Sequence, residues 1–512
     1  MKKLVSAVTS ALLLATLSVG TVGMAACGGG GDDANTIRYV VYTGGGSLDN
    51  AYRIYNKVDD IVFEKLGFHV EFEPYGYTDY ANKLSMKIAT GEPFDMCYSG
   101  SLLSGLTYSA AVADGNFKDI TDLLPVHAPD VYNSMPAKIW DAAKVNGKIY
   151  GVINEQLFAR SVGVAIDKTV ADALSLTQEK INAENLTYQD VIRQAMTYIQ
   201  NDPSISENGK VPSTTLVLGE AWEEIIMQNY GLDALGAHSY YPGIIEAVDG
   251  KTTVINQYES KYFKEFADFC REMHENGWID KDQGLQPVTE NQRVRLTGTY
   301  YPYVAEATLY NSIGKDFTIF QFGAPLMSTA NVTSSVTAIN VTSKKADKCL
   351  QFINLLYTDK DLFNLLAIGE EGLEYTWKTG YDSKDQEYQY ISYNQKSKYK
   401  PSADWAYGTE FNAYRKRGYE ADWVETVKAI NDNAAYSPAY GFAFVPSRSL
   451  EADLDAAYLV AQDYIKMFLD GTFSNKKTND EIIAEMNDAM KSYVQPILTA
   501  KQNQLDAFLA AK

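Results

Sequence analysis

Short apolar runs alternate along this chain with stretches whose apolar residues recur every three to four positions. Ile37 to Tyr42 is a β-rich run ended by Thr43 and Gly44-Gly45-Gly46. From Asn50 to Leu66 the residues Tyr55, Val58, Ile61, Val62 and Leu66 keep helical spacing, and Gly67 ends the pattern. His69 to Phe72 predicts a second strand, Tyr80 to Ala89 a second helix, and Phe94 to Cys97 a third strand. Strand, helix, strand, helix, strand is a βαβ sequence, hence a parallel sheet covered by helices. Further on, Ile139 to Ile153 has the pattern of a hairpin, and Val162 to Ile166 and Phe317 to Phe322 that of strands. Tyr188 to Tyr198 and Gln257 to Glu275 are amphipathic helices. Val336 to Val341 is a strand before a helix from Ala346 to Tyr357, with Ser343 placed to cap it. Residues 375–408 are polar, aromatic and loop-like. The end is helical in three pieces, Leu454 to Leu469, Asn479 to Met490 and Tyr493 to Phe508.

The N-terminus has another pattern. Lys2 and Lys3 precede an apolar run from Leu4 to Val22, then Met24-Ala25-Ala26-Cys27, then glycines with Asp32 and Asp33. A basic start, a short apolar core and a small-residue exit mark a secretory signal. The segment resembles the lipobox of bacterial lipoproteins, with Met24 where Leu or Val is commoner. That resemblance implies removal of residues 1–26, lipidation of Cys27, and a tether over residues 27–36. The expected location is the cell membrane, lipid-anchored, on its extracellular face.

Charge narrows the partners. The 512 residues hold 45 Lys plus Arg against 65 Asp plus Glu, a formal net charge of −20. The signal carries only basic residues, so its removal makes the chain more acidic. An acidic chain lacks the basic face that nucleic acid requires. The remaining cysteines, Cys97, Cys270 and Cys349, are far apart with no zinc spacing, and are expected to be small buried hydrophobes. Residues 27–512 are too many for one ordinary core, so two or more lobes are expected.

Sequence chemistry favours binding over catalysis. HExxH, the GxSxG elbow and the EF-hand spacing are all missing, so no catalytic residue, metal or cofactor is assigned. Gly44-Gly45-Gly46 lacks the later glycine and the Lys-Ser or Lys-Thr of phosphate-binding loops, but sits where open α/β sheets bind ligands. The chain is rich in tyrosine, with 37, and has 6 tryptophans. Such rings cover the apolar face of a sugar while polar side chains take its hydroxyls. Candidate ligand contacts are therefore Tyr42, Gly45, Ser47, Asp95, Tyr98, Trp222, Tyr300, Tyr303, Glu306, Trp377, Trp405 and Tyr407.

The order of several blocks resembles extracellular solute-binding protein family 1, the receptor part of bacterial ABC importers. These are Lys251 with Asn256-Gln257-Tyr258, Gly277-Trp278-Ile279-Asp280, Ile339 to Lys344 followed by Cys349 to Tyr357, Trp405 to Gly408, and Ser437 to Phe442 with Phe444. Gly369 to Tyr375 is similar to the GIEG-x-x-Y block, with Glu370 in place of Ile. The resemblance implies a type II periplasmic-binding-protein-like α/β fold of two hinged lobes with a helical C-terminal region. The expected division is a first lobe over 37–166, a second over 167–335, a return over 336–368, second-lobe and cleft loops over 369–435, and helices over 436–512. It further implies a monomer that captures an oligosaccharide in the cleft, works with permease subunits and is not an enzyme. A receptor for peptides or another charged solute, and a secreted hydrolase acting on glycans, are the alternatives.

Overall fold

Among the described residues, ten strands build two main sheets. In chain order they are β1 (Thr36–Thr43), β2 (His69–Gly76), β3 (Met96–Ser99), β4 (Gly151–Ile153), β5 (Arg160–Asp167), β6 (Leu216–Val217), β7 (Val294–Thr297), β8 (Phe317–Met327), β9 (Val336–Ile339) and β10 (Ala435–Tyr436). The computed structural model describes residues 34–512 except 45, 101–102, 104–105, 219–226, 282–289, 298–314, 382–385 and 395. The signal segment and Cys27 therefore lie outside the described residues. Among the described residues no helix is long and apolar enough to cross a membrane.

The first sheet has the order β2-β1-β3-β9-β4. β1 pairs in parallel with β2 and β3, while β9 runs antiparallel to β3 and β4. Helices α1 (Ala51–Leu66) and α2 (Tyr77–Thr90) are the crossovers, and each stops at a left-handed glycine, Gly67 and Gly91. The second sheet has the order β10-β8-β5-β7-β6, with β5 antiparallel to both neighbours. It packs on α3 (Tyr188–Asn201), closed at its start by the Thr187/Asp190 capping box, and on α4 (Lys261–Glu275), capped by Ser260. Each sheet has its own core, the first around Val40, Met96 and Phe352, the second around Val164, Ile192 and Phe266. Two sheets with two cores are the two lobes.

Several boundaries differ from the sequence pattern. β5 belongs to the second sheet, so the chain changes sheet at residues 154–159, ahead of Asp167. The third strand begins at Met96, two residues later than its apolar run suggests. Ile139 to Ile153 divides into a helix over Ala137–Ala142, a minimal hairpin, and β4. The loop-like stretch after Tyr375 contains a hairpin, Tyr375–Tyr381 with Glu387–Tyr393, whose buried residues are Tyr375, Tyr388 and Ile391. This stretch packs on the first lobe through Tyr375, Ile391, Tyr399 and Tyr407, not on the second. Ser343 does not cap the following helix, α5 (Ala346–Thr358). Its hydroxyl donates to Asp95 instead.

The C-terminal helices join the second lobe. After α6 (Trp423–Asn433) come α7 (Arg448–Leu469) and α8 (Asn479–Ala511), which pack together and cover the second lobe's core. α8 is continuous through Pro496, where two helices were expected. Ile497 and Leu505 are fully buried beyond the proline, and that packing outweighs the backbone bond the ring removes.

Candidate functional site

The carboxyl ends of β1 and β3 meet the start of β9 and the end of β4 on one edge of the first sheet. Two segments leave that edge for the second lobe, residues 154–159 into β5 and, in reverse, residues 328–335 from β8. A third passage follows α6 into β10. α6 packs on the first of these segments through Leu157, Trp423 and Val427. The Asn431 side chain supplies what the irregular backbone there lacks. Its Oδ1 accepts from Phe158 N–H (2.9 Å) and Ala159 N–H (3.1 Å), and its Nδ2 donates to Gln156 C=O (2.9 Å).

Rings collect on this edge. Tyr42 stacks obliquely on Tyr98 at 4.8 Å between centroids, and the Trp405 indole lies 5.5 Å from Tyr42 and 5.8 Å from Tyr98. Tyr42 and Tyr98 are buried beneath, while Trp405 is half-buried and forms the outer surface. Its position is fixed through its carbonyl, which accepts from Ser335 Oγ (2.9 Å) and Gln156 Nε2 (3.4 Å).

Beside the indole lies a charged floor. Asp404 pairs with Lys416 at 2.5 Å, with side chains 13% and 22% exposed. Burial opposes the charge on Lys416, yet Asp404, Tyr419 and Tyr393 raise its pKa above the ordinary lysine value. The Glu410 carboxyl is pushed up to about 7 by burial and by the Asp404 charge, against the pull of Lys416 and Arg160. These groups are largely covered by protein but keep some water-accessible surface.

Arg160, the first residue of β5, joins this floor to an interlobe crevice of about 200 Å³. Thr107 and Ser109 line the crevice from the first lobe, Gln228, His238 and Ser239 from the second, and Ser328, Asn331 and Thr333 from the return segment. Arg160 Nη2 donates to Ser334 Oγ at 2.9 Å, tying the start of β5 to the return segment. His238 is held neutral, its pKa lowered to about 4 by burial and by the Lys501 charge.

The structure brings together Tyr42, Tyr98 and Trp405 from the sequence expectation. Tyr407 lies beneath them, fully buried, its hydroxyl donating to Tyr42 C=O (2.9 Å). Asp95 does not join them. It stands at the amino end of β3, away from this edge. There it accepts from Ser343 Oγ (2.6 Å) and Arg38 N–H (2.9 Å) and pairs with Lys345 (2.9 Å). The glycine turn serves packing too. A Cβ on Gly44 would stand 2.3 Å from Ser402 C=O, and one on Gly46 1.9 Å from Lys400 C=O. Ser47 accepts from Lys400 N–H (2.7 Å) on the same segment. Chain segment 398–402 thus occupies the space where a ligand was expected. Trp377, in the hairpin, packs on Tyr375 and on Tyr414. Gly45, Trp222, Tyr300, Tyr303 and Glu306 lie outside the described residues.

Pattern reading missed Gln156, Arg160, Glu410, Lys416 and Asn431. Arg160 had a signal, a cation at the mouth of an otherwise apolar strand. Glu410, Lys416 and Asn431 are brought in by α6 and its approach, which local pattern does not position.

No family model matches the chain. A carbohydrate ABC transporter substrate-binding protein of Streptococcus pneumoniae serotype 4 is 23% identical over 504 residues, 96% of each chain. The crystal structure of the N-glycan transport solute binding protein NgtS from Streptococcus pneumoniae superposes with a TM-score of 0.74 at 21% identity, covering 93% of this chain and 99% of that one. Its complex with Man5GlcNAc gives 0.71 at 22% identity over the same shares. An HMO-binding solute binding protein from Bifidobacterium longum infantis gives 0.56 at 14%, covering 93% of this chain and all of the other. Over 93% of its length the chain therefore has the two-lobed, type II fold of the solute-binding proteins that serve ABC importers.

Proposed function

We propose that this protein is the extracellular receptor of an ABC importer, capturing an oligosaccharide between its two lobes without chemically altering it. One observation carries the reading. The fold of glycan-bound NgtS runs through nearly the whole chain, and a partly exposed tryptophan bonded to Gln156 and Ser335 of the connecting segments stands at the lobe junction of this one. The Trp405 plane covers the apolar face of a sugar ring, and Gln156, Arg160 and the Asp404–Lys416 pair supply donors and acceptors for its hydroxyls.

Capture works by closure. A saccharide touching both lobes makes its full set of contacts only when the segments at 154–159 and 328–335 have bent, so binding shifts the lobes toward the closed state. The permease subunits read that closed shape. Removal of residues 1–26 and lipidation of Cys27 hold the receptor beside them and raise its effective concentration.

A thermal-shift screen against mannose-, glucose- and N-acetylglucosamine-based oligosaccharides, followed by calorimetry, tests the reading. Saturating ligand raises the melting temperature, since it binds only the folded state. No shift with any saccharide in the panel, or release of hydrolysis products during incubation, overturns it. The lipid is tested separately. Substitution Cys27→Ala moves the protein from the membrane fraction to the medium.

A further inference from the structure

A second exposed ring stands beside the Asp404–Lys416 pair. Tyr393 ends the second strand of the hairpin, opposite Tyr375. Side chains two apart on a strand share a face, so Tyr393 lies on the face that carries Ile391. Tyr375 and Ile391 enter the first lobe's core, which fixes that face against the lobe. On its other side Ile391 bridges to Lys416, with its N–H donating to Arg415 C=O at 2.8 Å. The strand is thus held from both sides, yet Tyr393 stays 36% exposed. Protein around its hydroxyl raises the pKa, with the Lys416 and Asp404 charges acting on it in opposite directions, so the ring stands next to that pair. Among the described residues no hydrogen bond or ring contact engages the Tyr393 side chain.

The pair is itself only partly committed. Lys416 Nζ bonds Asp404 Oδ2, which leaves Asp404 Oδ1 and two of the three Nζ hydrogens without a hydrogen-bond partner among the described residues. Both side chains keep some exposure. Asp404 lies in one short turn with Trp405, the residue after it. An uncommitted ring next to a free acceptor and free donors is what a sugar unit uses, with its apolar face on the ring and its hydroxyls on the polar groups. The pair has no net charge, which suits a neutral saccharide better than an anion or a cation.

We propose that Tyr393 is a second stacking surface, for a sugar unit next to the one on Trp405, with the Asp404–Lys416 pair taking hydroxyls between them. The site then holds a chain of at least two units. The inference rests on the receptor reading above and adds a subsite to it.

Calorimetry on the full-length mature protein tests it with Tyr393→Ala and Tyr393→Phe. The ligands are the tightest neutral oligosaccharide of the thermal-shift panel and its one-unit fragment. Alanine should weaken the oligosaccharide ten-fold or more and the fragment by less than two-fold, because the fragment occupies the Trp405 position alone. Phenylalanine keeps the ring and should recover most of the loss. An alanine variant within two-fold of the parent on the oligosaccharide overturns the subsite. So does a phenylalanine variant as weak as alanine, and so do equal losses on oligosaccharide and fragment, which mark a purely structural role. These outcomes leave the receptor reading standing, whereas a parent that binds no saccharide overturns both.

Discussion

Asn431→Ala isolates what holds the first connecting segment. The Asn431 side chain is buried and makes three hydrogen bonds to the backbone of Gln156, Phe158 and Ala159, where no strand ladder runs. A net intramolecular hydrogen bond contributes about 0.5–1.5 kcal/mol, and a buried group left unmet costs about 1–3 kcal/mol. Three such groups would cost up to about 9 kcal/mol if the backbone could not relax. Water entering the space left by the amide recovers part of that, and we expect a loss of about 2–5 kcal/mol. Asn431→Asp keeps both acceptor contacts and sets an acceptor against Gln156 C=O, so it should lose less than alanine while remaining below the parent. The assay is urea unfolding of the ligand-free protein, read as a lower midpoint at unchanged slope. Affinity for the sugar should change as well, because the segment is one of those that bend on closure. An alanine variant within 0.5 kcal/mol of the parent would refute the reasoning, since it would mean that water satisfies these groups already.

Trp405→Ala should weaken oligosaccharide binding about ten-fold or more by calorimetry while leaving the fold intact, and unchanged affinity removes the indole from the site. Asp95→Asn should instead cost about 3–5 kcal/mol in unfolding, because it leaves the buried Lys345 ammonium without its counter-charge. Protein that still folds should bind sugar like the parent, and a selective affinity loss would return Asp95 to the cleft. Lys501 is fully buried, donates to Gly243 C=O (2.6 Å), and has its pKa lowered to about 7, chiefly by burial, with Asp233 pulling the other way. Between about 7 and the ordinary lysine value the unfolded chain therefore binds more protons than the folded one. Stability should rise across that window by on the order of a few kcal/mol. Lys501→Met should flatten the rise, and an equal slope in parent and variant would assign it to other groups.

Local pattern reaches far in this chain. Gly67, Gly91 and the Thr187/Asp190 box end or start helices where their sequence positions imply, because capping is decided within one turn of backbone. The parallel start of the first sheet follows from β1, α1, β2, α2 and β3 lying close together in sequence. Trp405 could be named as a candidate because aromatic rings in polar loops suit sugars whatever surrounds them.

Partners distant in sequence were decided only in three dimensions. Asp95 looked like a strand-end ligand, and Lys345, some 250 positions later, turned it into a buried ion pair. Gly44 and Gly46 looked like a ligand-binding turn until segment 398–402 came down on them. Arg160 and Gln228, far apart in sequence, line one crevice only because the fold brings them to it. Sequence by itself determined the first strands and crossover helices and several helix ends, since those depend on contacts a few residues apart. Tertiary structure decided which polar groups were satisfied and which were left unpaired, since that depends on what the rest of the chain brings within hydrogen-bonding distance.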